Sequence, residues 1–306
     1  MTLIVGSLLE RLRDRAYWAA LLPDLHIDDV DFLRSFEPFP VARPVAEQVL
    51  ALIRKEGYFQ LDPPVWDLPL TRLAAAIDRL EASGVPVPFA FMYDEFWILF
   101  LRLSRVIETV LGPGYRRLPD FWTWRVDPAA TQSGWQPHRD KGHWALFPDR
   151  SPKAVTVWIP LTDASTLNGC MYIIPADRDP TYGTEQDKEW KFAYVDIRAL
   201  PAPAGSVFCW NQSVLHWGSR ASERGGAPRI SLAFEFQSGS VEPFNRPLTD
   251  PFEIPRFEFR TQLVAKQILQ YKHMYPLPPA LEATALDILA AGGNAQLKVG
   301  PAQGQY

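Results

Sequence analysis

The segment Arg229–Gln237, RISLAFEFQ, decides the fold. Side chains of an extended segment alternate between two faces. Ile230, Leu232, Phe234 and Phe236 therefore share one face, and Arg229, Ser231, Ala233, Glu235 and Gln237 share the other. The first face is wholly apolar and is expected to pack against helices or a second sheet. The second carries a guanidinium and a hydroxyl into one enclosed space. An unpaired buried charge is strongly unfavourable, so the interior that Arg229 enters needs an anion.

The same texture extends upstream. Short β-type runs separated by turn residues occur at FWTWRV (121–126), AVTVWIPL (154–161), CMYIIP (170–175), KFAYVDI (191–197) and SVFCW (206–210). Asn168-Gly169, between two of them, predicts a hairpin, because a type I′ turn needs positive φ at both central positions. Many short strands with this punctuation predict a sandwich or jelly-roll barrel. Helices flank it. One runs from a Ser7 cap to about Leu22, the next from Pro44 to a stop at Gly57, a third over 69–83 and a fourth over Asp94–Leu111, with a short strand in GYFQLD. Two more are expected near 257–274 and 279–291. No linker or repeat divides the chain, so 1–306 is expected to be a single domain. Its parts are a mainly helical 1–115, a β core at 116–250, C-terminal helices at 251–292 and a frayed tail at 293–306.

Composition narrows the classes. With 47% hydrophobic and 22% charged residues among 306, the chain is globular rather than disordered. A net charge of −4 without a basic stripe excludes nucleic acid and anionic membranes as expected partners. No apolar run is long enough to span a bilayer. The start, MTLIVGSLLERLRDRAYWAALL, lacks the basic region and the small-residue site of a signal peptide. Cys170 and Cys209, the two cysteines, sit in apolar runs and read as buried, inert thiols. A cytoplasmic protein is the expectation.

The chemistry is concentrated in WQPHRDKGHW (135–144). In an extended chain, His138 and Asp140 project to one side and Arg139 to the other. His216, in NQSVLHWGS (211–219), is the candidate third ligand. Two imidazoles and a carboxylate on one face of an octahedron leave three positions open, the arrangement of non-haem iron oxygenases. Catalytic zinc also uses such sets but prefers four-coordination. An H-x-D tripeptide alone says little. Its weight comes from ordered company: the distal His216, then, thirteen residues on, Arg229 opening a strand with Ser231 on its face. Arg229 and Ser231 suit one carboxylate. Among the other histidines, His143 reads as a pocket or loop residue rather than a fourth ligand. Trp122, Trp124, Trp135, Trp144, Trp210 and Trp217 surround these motifs. Core packing explains most of them, but Trp124, Trp144 and Trp210 are expected to wall a substrate pocket. Arg125 and Lys141 read as solvated rim charges.

At this point the chain resembles the phytanoyl-CoA dioxygenase (PhyH) family of Fe(II)/2-oxoglutarate-dependent oxygenases. The likeness runs from Trp135 to Phe236, through WQPHRD, VTVWIPLTD, NGCMYIIP, AGSVFCWNQSVLH and PRISL, and Gly57-Tyr58 resembles the family's entry into an early strand. Two features depart from it: Gly218 stands where relatives often carry Ser, and the interval from His216 to Arg229 is slightly long.

The resemblance implies a double-stranded β-helix core, cupin-like, with flanking helices. It implies Fe(II) on His138, Asp140 and His216, chelated by 2-oxoglutarate, whose far carboxylate meets Arg229 and Ser231. Trp158 would line the co-substrate pocket, with Trp144 beside it. O2 would complete the reaction, converting 2-oxoglutarate to succinate and CO2 while a small organic molecule is oxidised. Because Asp140 is present, hydroxylation or a related oxidation is favoured over halogenation. The readings from other classes are a non-catalytic cupin-like binding protein and a metal-dependent hydrolase or isomerase on the same fold.

Overall fold

The computed structural model describes residues 11–130, 135–294, 296, 297 and 299. Helix α1 (Arg15–Leu21) starts where the Asp14 carboxylate accepts the Ala16 N–H at 2.9 Å. α2 (Val30–Arg34) starts where Asp29 accepts the N–H groups of Asp31 and Phe32. Such caps satisfy donors that a first turn leaves open. Ser7, the cap expected from the sequence, lies outside the described residues, as does most of the expected tail. α3 (Arg43–Lys55) gives way to Gly57 at φ +79°, where a Cβ would sit 2.3 Å from Val214 Cγ2. Only glycine fits this turn into β1 (Tyr58–Leu61).

α4 (Leu70–Ala82), α5 (Asp94–Arg102) and α6 (Ser104–Leu111) complete the N-terminal helices. The single helix expected over Asp94–Leu111 breaks at Leu103. There the backbone tightens, with the Leu103 N–H bonded to Phe100 O at 3.1 Å, and the Ser104 hydroxyl donates to Leu101 O.

The strands follow as β2 (Arg116–Val126), β3 (Ala154–Pro160), β4 (Met171–Ile174), β5 (Arg198–Leu200), β6 (Val207–Asn211), β7 (Leu215–Gly218) and β8 (Arg229–Gln237). Then come α7 (Phe257–Gln270) and α8 (Pro279–Ala291). The sheets are antiparallel, one ordered β1-β6-β3-β8-β2 and the other β5-β4-β7. Facing sheets with helices packed outside make the jelly-roll class expected from the sequence. Among the described residues no helix is long and apolar enough to cross a membrane.

β8 is buried along its whole length between β2 and β3. Ile230, Leu232, Phe234 and Phe236 join the larger apolar core under the helices, where the Phe234 ring lies 5.3 Å from Trp97 and 5.0 Å from Phe121. Ala233, on the other face, belongs to a smaller core with Trp158, Phe208 and Trp210, to which strands of both sheets contribute. Cys170 and Cys209 are free and buried, and burial pushes the Cys170 thiol up to about 11.

Two local expectations are corrected. Asn168-Gly169 does not join a hairpin, because β3 pairs with β6 and β8 while β4 pairs with β5 and β7. Only Gly169 has positive φ, and the Asn168 side chain instead ties the loop by accepting from Ser165 N and donating to Asp163 O. KFAYVDI is not a strand either. It is an irregular surface segment with a 3₁₀ turn at Tyr194–Asp196, and pairing begins only at Arg198. Tyr194 and Val195 are exposed, so the alternation there has no sheet face to bury.

Candidate metal centre

The segment carrying His138 and Asp140 runs beside β7. His138 and His216 exchange both backbone hydrogen bonds, each at 3.0 Å, so they form a directly opposed antiparallel pair. Both imidazoles then project to one side, with ring centroids 4.5 Å apart. Two residues on from His138, Asp140 reaches the same point. Its Oδ1 lies 3.4 Å from His138 Nε2 and 3.5 Å from His216 Nε2. The three ligating atoms fall within 4.8 Å of one another.

The remaining polar atoms fix these orientations. His138 Nδ1 donates to Gln136 O at 2.8 Å and His216 Nδ1 to Val214 O at 3.1 Å, which places the proton on Nδ1 and frees each Nε2 lone pair. Asp140 Oδ2 accepts from Thr156 Oγ1 at 2.7 Å and from Trp210 Nε1 at 3.1 Å, leaving Oδ1 toward the imidazoles. Burial alone would raise the Asp140 carboxyl. The adjacent His216 and His138 and the Thr156 hydroxyl hold it well below the usual carboxylate range. Burial pushes His216 down to about 4, against the opposing pull of Asp140. Near neutral pH the set is one carboxylate and a neutral His216. Arg139 points away from it, as expected, and is buried against Asp179, Thr181 and two carbonyls.

A cavity of about 350 Å³ opens on the three candidate ligands. Trp124 and Trp210 line it, with Trp135, Thr156, Ala233, Glu235, Tyr271 and Tyr275. Trp144 does not. It is 65% exposed on a neighbouring cleft, because a short 3₁₀ turn (Gly142–Ala145) carries it outward. Neither expected rim charge is solvated at a rim. Lys141 is only partly exposed and pairs with Glu235 at 2.6 Å, and Arg125 is held by Asp78 and Glu81.

Arg229 is fully buried at the start of β8, its Nη1 donating to the Ser231 hydroxyl. Among the described residues its Nε and Nη2 have no hydrogen-bond partner, nor have the buried indole N–H groups of Trp135 and Trp158. The guanidinium carbon lies 5.9 Å from the Trp135 ring and 5.6 Å from Trp158. Burial brings the guanidinium down to about 10, so it stays charged at neutral pH. Buried donors rarely go unmatched, and this group fits a carboxylate. Two imidazole nitrogens and one carboxylate oxygen likewise fit iron(II) with positions left open.

Sequence reading passed over Thr156, Tyr271 and Tyr275, and gave Glu235 a strand face but no role. Thr156 shares a strand face with Trp158 two residues on, a signal open to reading. The tyrosines arrive from beyond α7 and leave no local motif.

Residues 96–229 match the phytanoyl-CoA dioxygenase (PhyH) family. Over that stretch the chain is similar to the family. The match spans both candidate histidines and ends at Arg229. No curated protein matches by sequence. Among solved structures, the chain is similar to SnoN, a non-heme alpha ketoglutarate dependent epimerase from nogalamycin biosynthesis. The identity is 17% and the TM-score 0.51, over 70% of this chain and 93% of that one. SnoN has also been crystallised with Fe3+, alpha ketoglutarate and nogalamycin RO. AviO1 from Streptomyces viridochromogenes Tue57 is similar at 17% identity and TM-score 0.52, over 66% of this chain and 99% of its own. At these identities the structures establish a shared fold.

Proposed function

We propose that this chain is an Fe(II)- and 2-oxoglutarate-dependent oxygenase that hydroxylates a C–H bond of a small organic molecule. The observation that carries the reading is the convergence of His138 Nε2, His216 Nε2 and Asp140 Oδ1 on one point, in a chain whose buried Arg229 keeps two unmatched donors. When bound, iron supplies the oxidising chemistry: R–H, 2-oxoglutarate and O2 become R–OH, succinate and CO2.

The chain's own residues position and exclude. His138, Asp140 and His216 would hold the metal. Arg229, with Ser231, would bind the far carboxylate of 2-oxoglutarate, and the Trp135 and Trp158 rings lie near that guanidinium. Thr156 and Trp210 orient the carboxylate. The walls of Trp124, Trp135 and Trp210 keep water from the reacting centre. Asp140 fills the position that halogenating relatives leave empty for halide, which favours hydroxylation.

Iron-loaded protein incubated with 2-oxoglutarate should release succinate with O2 and none without it. No succinate under either condition would leave a metal-binding cupin. Turnover of a substrate that is indifferent to oxygen would mark a hydrolase or isomerase.

A further inference from the structure

Of the eleven tryptophans, only Trp144 and Trp190 are exposed, by 65% and 55%. They line one cleft of about 390 Å³, which shares Pro137 and His138 with the metal cavity. Exposed indole is unfavourable in water, and two such rings bordering a cleft mark a surface that binds.

The cleft is also built rigidly. The Asp187 carboxylate accepts from His143 N at 2.5 Å and from His143 Nδ1 at 2.9 Å. This leaves Nε2 as the imidazole's remaining hydrogen-bonding atom. The His143 ring lies 4.6 Å from the Trp144 ring. Gly142, at φ +63°, lets the backbone pass, since a Cβ there would lie 2.3 Å from Asp187 Oδ2. Buried Arg139 ties Asp187 O to Ser213 O and Asp179. Asp187, the one carboxylate of the lining, is thus engaged, and Lys141 is taken by Glu235. Lys188 is exposed and makes no ion pair among the described residues. Flat apolar faces together with an unengaged ammonium suit a negatively charged aromatic.

We infer that this cleft is a second subsite, which seats the aromatic ring of an organic anion while the rest of that molecule reaches past His138 to the metal. The inference rests on the oxygenase reading only for the claim that the occupant is the substrate.

The probe is 2-naphthoate, titrated calorimetrically into the full chain with and without iron(II) and 2-oxoglutarate. Its controls are 2-naphthol, which keeps the ring and loses the charge, and cyclohexanecarboxylate, which keeps the charge and loses the flat ring. Trp144→Ala and Trp190→Ala should each weaken naphthoate about five-fold, the worth of one stacking contact. Lys188→Gln should weaken naphthoate and leave naphthol unmoved. No naphthoate binding by the wild-type chain, or binding indifferent to all three substitutions, overturns the proposal. Wild-type protein that binds naphthoate in this manner yet forms no succinate refutes the oxygenase reading and leaves the subsite standing. Succinate formation without naphthoate binding does the reverse.

Discussion

Asp140 Oδ2 accepts hydrogen bonds from Thr156 and Trp210, while Oδ1 faces the two imidazoles. One oxygen is therefore already engaged, which leaves the other for the proposed metal. Partners of this kind usually matter 10–100-fold for metal affinity. Thr156→Val and Trp210→Phe should each weaken iron(II) binding by roughly that factor in chelator competition. Undiminished affinity in both would show that the carboxylate needs no support. His138→Ala or His216→Ala should remove stoichiometric iron altogether, read as metal content after desalting. Arg229→Ala should weaken 2-oxoglutarate by about 2–5 kcal/mol, the loss expected when one half of a buried charged pair is removed. Equal affinity by calorimetry would remove Arg229 from the site. The candidate ligands were legible at this scale because two of them lie two residues apart on one extended segment. Thr156 was missed although its strand face was open to reading, and the tyrosines left no signal because they follow α7, far along the chain.

Among the elements, β8 separates packing from chemistry. Phe234 anchors the helix-facing side against Trp97, Phe100 and Phe121. Phe234→Ala should cost about 3–5 kcal/mol in urea unfolding, the usual range for a truncated core aromatic. A loss under about 1 kcal/mol would mean that the ring cluster collapses to fill the gap. The strand's two faces were readable because both are buried and period two is unambiguous there. KFAYVDI misled for the opposite reason: its alternation lies on the surface, where no sheet enforces it. Asn168-Gly169 misled because turn chemistry is local, whereas the strands before and after it belong to different sheets. The helix stop at Gly57 was legible because its positive φ favours glycine.

For the molecule as a whole, acid stability follows from His216. Its pKa is about 4 when folded, against an ordinary value of 6.5. Between these values the unfolded chain takes up a proton that the folded chain refuses, so stability should fall as pH drops from 6.5 toward 4. The contribution is fully present above the unfolded value. Asp140 acts with the same sign at lower pH, since its depressed carboxyl favours the folded state until it is protonated. Urea midpoints of the metal-free chain should decline across this window, and His216→Ala should flatten the decline. A midpoint constant from pH 6.5 to 4.5 would contradict the buried, neutral imidazole.

The division along β8 also bears on redesign. Residues of the larger apolar core stand on one side of that strand, and residues that face the cavity stand on the other. Replacement of Ala233 by a bulkier side chain would reshape what the cavity admits without disturbing the aromatic cluster behind it. The cavity's shape and the protein's stability can thus be altered separately.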